Sequence, residues 1–293
     1  WAQTPHQATM YDGVYQTLLK RSYFPIDEER CSGPLHSLIE NASRGENTDW
    51  DILRIKAMSC IDPHSRITSL SVEFDEFGIL HLKPVESEAL VASSRLDGIR
   101  YITMRNFAPG VTHKLAEALY QAQNETIIIV LRGNPGGRVS ELISAANFFA
   151  PRKDAPMFVT HYKSSRRVVV ADVEGYFANN SICILVNEKT ASAAEIFAAI
   201  LKNWGGARVL IVGEKTFGKS TVQVHIPNIE SLVNLVVTVA VITVGSVEQN
   251  TLLHGIAIKP DLQDKIPHDV PGFTKALQIV REYYGARVLN NLN

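Results

Sequence analysis

The order of apolar runs along this chain of 293 residues predicts an α/β fold. Three observations carry the prediction. Residues 127–131, 182–186 and 209–212 are unbroken apolar runs of strand length, the pattern of strands covered on both faces. Segments with helical spacing precede and separate them. Leu115, Ala118, Leu119 and Ala122 form one set, and Leu142, Ala145, Ala146 and Phe149 another. A third runs from Ser192 through Ile196, Ala199 and Ile200 to the stop at Gly205-Gly206. Lastly, each of the three strands is followed by a turn.

Taken in order, residues 1–66 read as an N-terminal helical subdomain, with Val14, Leu18 and Leu19 on one segment and Trp50, Leu53 and Ala57 on another. The turn Asp62-Pro63-His64-Ser65 closes it, because proline turns the residue before it away from helix. Residues 70–82 suit two short strands around a tight turn. A strand over 99–104 comes next, and Thr112 is placed to cap the first helix of the core. A further strand is expected at 157–162, and residues 232–244 are rich in valine. The last segment, 266–293, carries Phe273, Leu277, Val280 and Tyr284 on one helical face. The core therefore spans 67–265.

Net charge is −1, which gives no electrostatic footprint for nucleic acid or an anionic membrane. No apolar run approaches the roughly 18 residues of a spanning helix. Cys31 and Cys60, in the polar N-terminal part, could form a disulfide or stay thiols, while Cys183 sits inside an apolar strand. Three cysteines make no disulfide framework.

Chemistry concentrates in the turns that follow the strands, where sites form in open α/β sheets. The third, Gly213-Glu-Lys-Thr-Phe-Gly-Lys219-Ser220, fits the phosphate-loop pattern G-x-x-x-x-G-K-[ST]. A phosphate loop must open a helix, yet Thr221-Val-Gln-Val-His-Ile226 follows, which is a strand sequence. No acidic residue ends a second apolar strand to hold magnesium. A nucleotide-binding function is set aside on those grounds.

The second turn puts Ser192 at a helix start, with Glu195 three residues on, as in a capping box. A helix N-terminus also offers free N–H groups that can stabilise an oxyanion. No G-x-S-x-G elbow accompanies a histidine base, and the nine histidines fall singly. Lysine can serve as base where burial disfavours its charge. Lys219, after an apolar strand and beside Phe217 and Gly218, suits such burial.

Together the three turns resemble the tail-specific, or carboxyl-terminal processing, serine proteases. Arg132-Gly-Asn-Pro-Gly-Gly137, Ala191-Ser-Ala-Ala-Glu195 and Gly213 through Lys219 to Gln223 match the family's motifs in order. The 62–65 turn, Gly255-Ile256 and Pro260-Asp261 are similar to further landmarks. The resemblance covers roughly 50–265. It implies a crotonase-like ββα core, with Ser192 as nucleophile, Lys219 as general base and Gln223 orienting the lysine. The backbone of Gly136, Gly137 and Ala193 would form the oxyanion hole. In a straight strand Gln223 would lie about 13 Å from Lys219, so the chain must bend between them.

Many members carry a PDZ domain between the Asp-Pro-His-Ser turn and the strand at 99–104. Here only residues 66–98 separate those points, so a core without a PDZ domain is expected. The expected partner is a protein or peptide substrate cleaved near its C-terminus, with no cofactor and no metal. A delivering or activating protein and a homo-oligomer are compatible with that reading. The start at Trp1 rather than methionine, with the resemblance, gives an expectation of a periplasmic or otherwise exported location. The competing class is a non-catalytic module binding peptides or apolar ligands on the same fold.

Overall fold

The computed structural model describes residues 22–23, 66–69, 72–74, 80–82, 88–96, 98–120, 122–123, 125–228, 233–245, 251–252, 256–266 and 270–290. The expected N-terminal helical subdomain, Cys31, Cys60 and the 62–65 turn lie outside them. In chain order the strands are β1 (Arg66–Ser69), β2 (Val72–Phe74), β3 (Leu80–Leu82), β4 (Val91–Leu96), β5 (Ile99–Met104), β6 (Thr126–Val130), β7 (Pro156–Tyr162), β8 (Arg166–Val170), β9 (Ile182–Val186), β10 (Val209–Gly213), β11 (Thr221–Asn228), β12 (Val233–Val244), β13 (Thr251–Leu252) and β14 (Leu262–Gln263). The helices are α1 (Val111–Leu119), α2 (Val139–Asn147), α3 (Ala193–Gly205) and α4 (Val270–Asn290). The fold is α/β. It divides into two units, the first holding residues 1–85, 161–166 and 221–241, the second 86–160, 167–220 and 242–293.

The second unit is built on a sheet of strand order β14-β10-β9-β6-β5-β4. Pairing is parallel from β14 to β5, and only the edge strand β4 runs antiparallel. A parallel sheet needs cover on both faces, because its crossovers deposit helices there. Ile128, Val130, Cys183, Leu185, Leu210 and Val212 point to one face, where Ala276, Leu277 and Val280 of α4 seal them from water. By strand alternation, the buried Ile102, Ile129, Ile184 and Ile211 serve the other face. There α1 packs on α2, α2 on α3 and α3 on β10. Phe197 of α3 meets Phe107 and Phe149 at ring-centroid distances of 5.5 and 6.1 Å, tilted and edge-on as ring quadrupoles favour.

Thr112 does not cap α1. The cap position is Gly110, in a left-handed conformation and without a side chain to offer. Glu141 of α2 supplies the missing acceptor: its carboxylate takes the Gly110 N–H at 2.9 Å, the Thr112 N–H at 3.1 Å and the Thr112 hydroxyl at 2.6 Å.

In the first unit β12 lies between β1 and β11, antiparallel to both. The register passes from Val222 opposite Ala240 to Gln223 opposite Thr238, so Val239 is an extra residue on β12. Such a bulge sharpens local twist. The hairpin expected over 70–82 is present as β2 paired with β3, Val72 opposite Leu82.

Candidate active site

Parallel strands in register end at one edge, and the turns that leave β6, β9 and β10 meet there in the second unit. Asn134, fully buried, organises the first turn. Its Oδ1 accepts the Gly136 N–H at 2.8 Å and its Nδ2 donates to the Met104 carbonyl at 2.9 Å. The Asn134 carbonyl accepts the Ala191 N–H at 2.9 Å, which ties the first turn to the second. Thr190 ties all three. Its hydroxyl donates to the Leu131 carbonyl at 2.8 Å, and its own carbonyl accepts the Phe217 N–H at 3.0 Å.

Ser192 is the cap residue of α3, with φ 57° and ψ −124°. A non-glycine residue is rarely held there, at a cost of about 1–3 kcal/mol, and such strain clusters where a side chain must be aimed. Gly136 makes room for it. A Cβ on Gly136 would stand 2.8 Å from Ser192 Cβ, from the Ala191 carbonyl oxygen and from the Ala193 nitrogen. With φ at +94°, only glycine lets the first turn close on the serine.

The three expected oxyanion donors fare differently. The Gly136 N–H is already occupied by Asn134 Oδ1, so Gly136 contributes close approach rather than a donor. The N–H groups of Gly137 and Ala193 have no acceptor among the described residues. They remain available to a developing negative charge.

Glu195 binds the second turn to the third. Only 2% exposed, its carboxylate accepts four hydrogen bonds. Oε1 receives the Thr216 hydroxyl at 2.5 Å and the Gly218 N–H at 2.7 Å. Oε2 receives the Ser192 N–H at 2.9 Å and the Lys219 N–H at 2.8 Å. One oxygen atom thus holds the main chains of Ser192 and Lys219 together, no further apart than two hydrogen bonds laid end to end. Charge-assisted bonds of this kind let a carboxylate stay buried. The sequence pointed to Glu195 as a cap for Ser192. Its grip on the lysine turn, 24 residues away, carried no sequence signal.

Lys219 is half-buried and enters β11, not a helix, so the phosphate-loop pattern has no helix N-terminus behind it. Gln223 is half-buried on β11 in the first unit, next to the bulge. Beside Lys219, the hydroxyl of the fully buried Ser220 has no hydrogen-bond partner among the described residues. Among the described residues no group of His, Cys, Asp or Glu could hold a metal ion, and no helix is long and apolar enough to cross a membrane.

Comparison with known proteins agrees with this arrangement of turns. The chain is 31% identical over 165 residues to the carboxy-terminal processing protease CtpA of Bacillus subtilis, a match covering 53% of this chain and 35% of that protein. It is also 31% identical over 148 residues to a probable CtpA-like serine protease of Staphylococcus aureus, covering 49% and 28%. The match thus spans about a third of the length of these relatives. Among solved structures, a lipoprotein from Streptococcus agalactiae superposes with a TM-score of 0.68 at 16% identity, over 98% of this chain and 99% of that one. The photosystem II D1 C-terminal processing protease gives 0.62 at 16% identity, over 92% and 96%. These likenesses show a shared fold. The model of peptidase family S41 matches residues 98–263, which takes in all three turns and more than half of the chain, and the chain belongs to that family.

Proposed function

We propose that this chain is a serine peptidase working through Ser192 and Lys219, and that it cleaves proteins or peptides near their C-termini. The observation that carries the reading is the pair of bonds to Glu195 Oε2, from the N–H of Ser192 at 2.9 Å and of Lys219 at 2.8 Å. Membership of family S41 and the strained backbone of Ser192 support it.

In the proposed reaction the neutral amine of Lys219 takes the hydroxyl proton of Ser192 as Oγ bonds to the substrate carbonyl carbon. The carbonyl oxygen becomes an oxyanion held by the N–H groups of Gly137 and Ala193. Collapse breaks the C–N bond, and the leaving amine takes the proton from Lys219. Water, deprotonated by the Lys219 amine, then attacks the ester carbonyl, and Ser192 Oγ leaves with the proton that Lys219 returns. Gln223 orients the lysine amine. Because the free amine is the base, turnover rises with pH as Lys219 gives up its proton. In this reading substrate docks on the core itself or is delivered by a protein partner.

The test is cleavage of unfolded protein substrates by the unsubstituted chain and by Ser192→Ala and Lys219→Ala. Each substitution is expected to lower turnover by at least about a thousandfold, with circular dichroism unchanged. A Lys219→Ala protein of full activity would end the assignment of the base.

A further inference from the structure

The turn between β7 and β8 is tight. The Tyr162 N–H donates to the Ser165 carbonyl at 2.7 Å, and the chain doubles back at once into β8, the last strand in the order β1-β12-β7-β8. Every residue from Tyr162 to Val168 is exposed. Strand side chains alternate between two faces, so seven exposed residues in succession leave neither face of this hairpin end covered. Lys163, Arg166 and Arg167 lie in that run, and no carboxylate occurs between Asp154 and Asp172. The net charge of −1 is an average over 293 residues and conceals this local excess of cations. The run also holds two large apolar side chains in water, Tyr162 at 41% and Val168 at 46% exposure.

Cations on an edge strand ordinarily guard it against pairing with another chain. A tyrosine and a valine exposed beside them work against that guard, since aromatic and β-branched residues favour pairing. The combination suits a different surface. Aromatic rings with a polar tip settle at the headgroup level of a bilayer, and Lys and Arg are drawn to anionic headgroups there. The size of the run decides against a protein partner, because a standard protein–protein interface uses roughly 20–30 residues a side. A bilayer asks for no such shape match, since each cation near its surface adds its own share of binding.

We propose that the end of the β7–β8 hairpin docks this protein on an anionic lipid bilayer, with Lys163, Arg166 and Arg167 meeting anionic headgroups and Tyr162 entering the headgroup layer. The inference goes beyond the peptidase reading and stands without it, because none of these residues belongs to the three turns of the candidate site. Each cation is worth about fivefold in binding, so the three together favour an anionic over a neutral bilayer on the order of a hundredfold. Such binding is peripheral and reversible, and it weakens as salt screens the surface.

The test is co-sedimentation of the full chain with vesicles, either of phosphatidylcholine alone or of phosphatidylcholine with one-third phosphatidylglycerol, at about 0.1 M salt, where the screening length is about 10 Å. Binding to the anionic vesicles is expected to be tighter on the order of a hundredfold. The Lys163→Gln/Arg166→Gln/Arg167→Gln variant loses that preference with unchanged circular dichroism, while Arg166→Lys/Arg167→Lys keeps it. Tyr162→Ser weakens binding to the anionic vesicles several-fold. If the triple variant does not fold, raising salt to about 1 M, where the screening length is about 3 Å, removes the same attraction in the parent. Equal binding to the two kinds of vesicle, no binding to either, a preference undiminished in the triple variant or at high salt, or Tyr162→Ser binding like the parent would each overturn the proposal. So would loss of the preference in the lysine variant. Polyglutamate that releases the protein from vesicles as well as an equal charge of added anionic vesicles does would also overturn it, since the hairpin would then be a site for acidic protein segments.

Discussion

Glu195 is the residue on which the site turns, because a single buried carboxylate collects four donors from two segments. Glutamine in its place has one carbonyl oxygen and turns an amide NH₂ toward N–H groups. Glu195→Gln is expected to lose stability by about 2–4 kcal/mol through the broken charge-assisted bonds. It should also lose most peptidase turnover, since Ser192 and Lys219 are then held separately. Denaturant melts together with a cleavage assay check this, and a destabilised but fully active variant would show that Glu195 serves folding alone. Ser220 behaves in the opposite way. Its hydroxyl is buried without a partner among the described residues, so Ser220→Ala removes a desolvated polar group and should leave the melting temperature unchanged or raise it, by up to about 1–3 kcal/mol of stability. Cys183, buried in β9, has its thiol pushed up to about 12 by burial. Iodoacetamide at neutral pH should leave it unlabelled in the native protein and alkylate it after denaturation, because the thiolate is the nucleophile.

At the scale of elements, α1 depends on its neighbour for a cap. Glu141 of α2 binds the first turn of α1, so Glu141→Ala should destabilise the protein by about 0.5–2 kcal/mol. Burial acts to raise the Glu141 pKa, but hydrogen bonds from Thr112 and Gly110 outweigh it and lower the value below the ordinary 4.5. A carboxylate with a lowered folded-state pKa contributes its full stability above 4.5 and loses it as pH falls through the folded value. The stability difference between the parent and Glu141→Ala, measured by urea melts, should therefore shrink below pH 4.5.

The elements legible in the sequence are those whose apolar pattern is one-dimensional. β5 and β9 have the bounds that the runs gave, and α3 stops at Gly205 as the glycine pair required. β4 left no such trace, because five of its six residues are exposed on a sheet edge and no alternation marks a buried face. β13 and β14 are two residues each and exist only through their partners. The same rule divides the site. Ser192, Lys219 and the glycine turn carry residue types at a spacing, whereas the occupied Gly136 N–H and the Glu195 bridge depend on which segments meet.

For the whole molecule, near-neutral net charge at pH 7, with a pI near 6.8, predicts lowest solubility close to that pH and no retention on a nucleic-acid column at moderate salt. The second unit places the three turns on one rigid edge by covering both faces of a parallel sheet, and that edge is where an S41 peptidase reading locates the chemistry. The most direct measurement is intact-protein mass after treatment with a fluorophosphonate, followed by peptide mapping. A single adduct on Ser192, lost in Lys219→Ala, is the expected result; an adduct on another residue, or labelling of Ser192 that is undiminished in Lys219→Ala, would contradict the pairing.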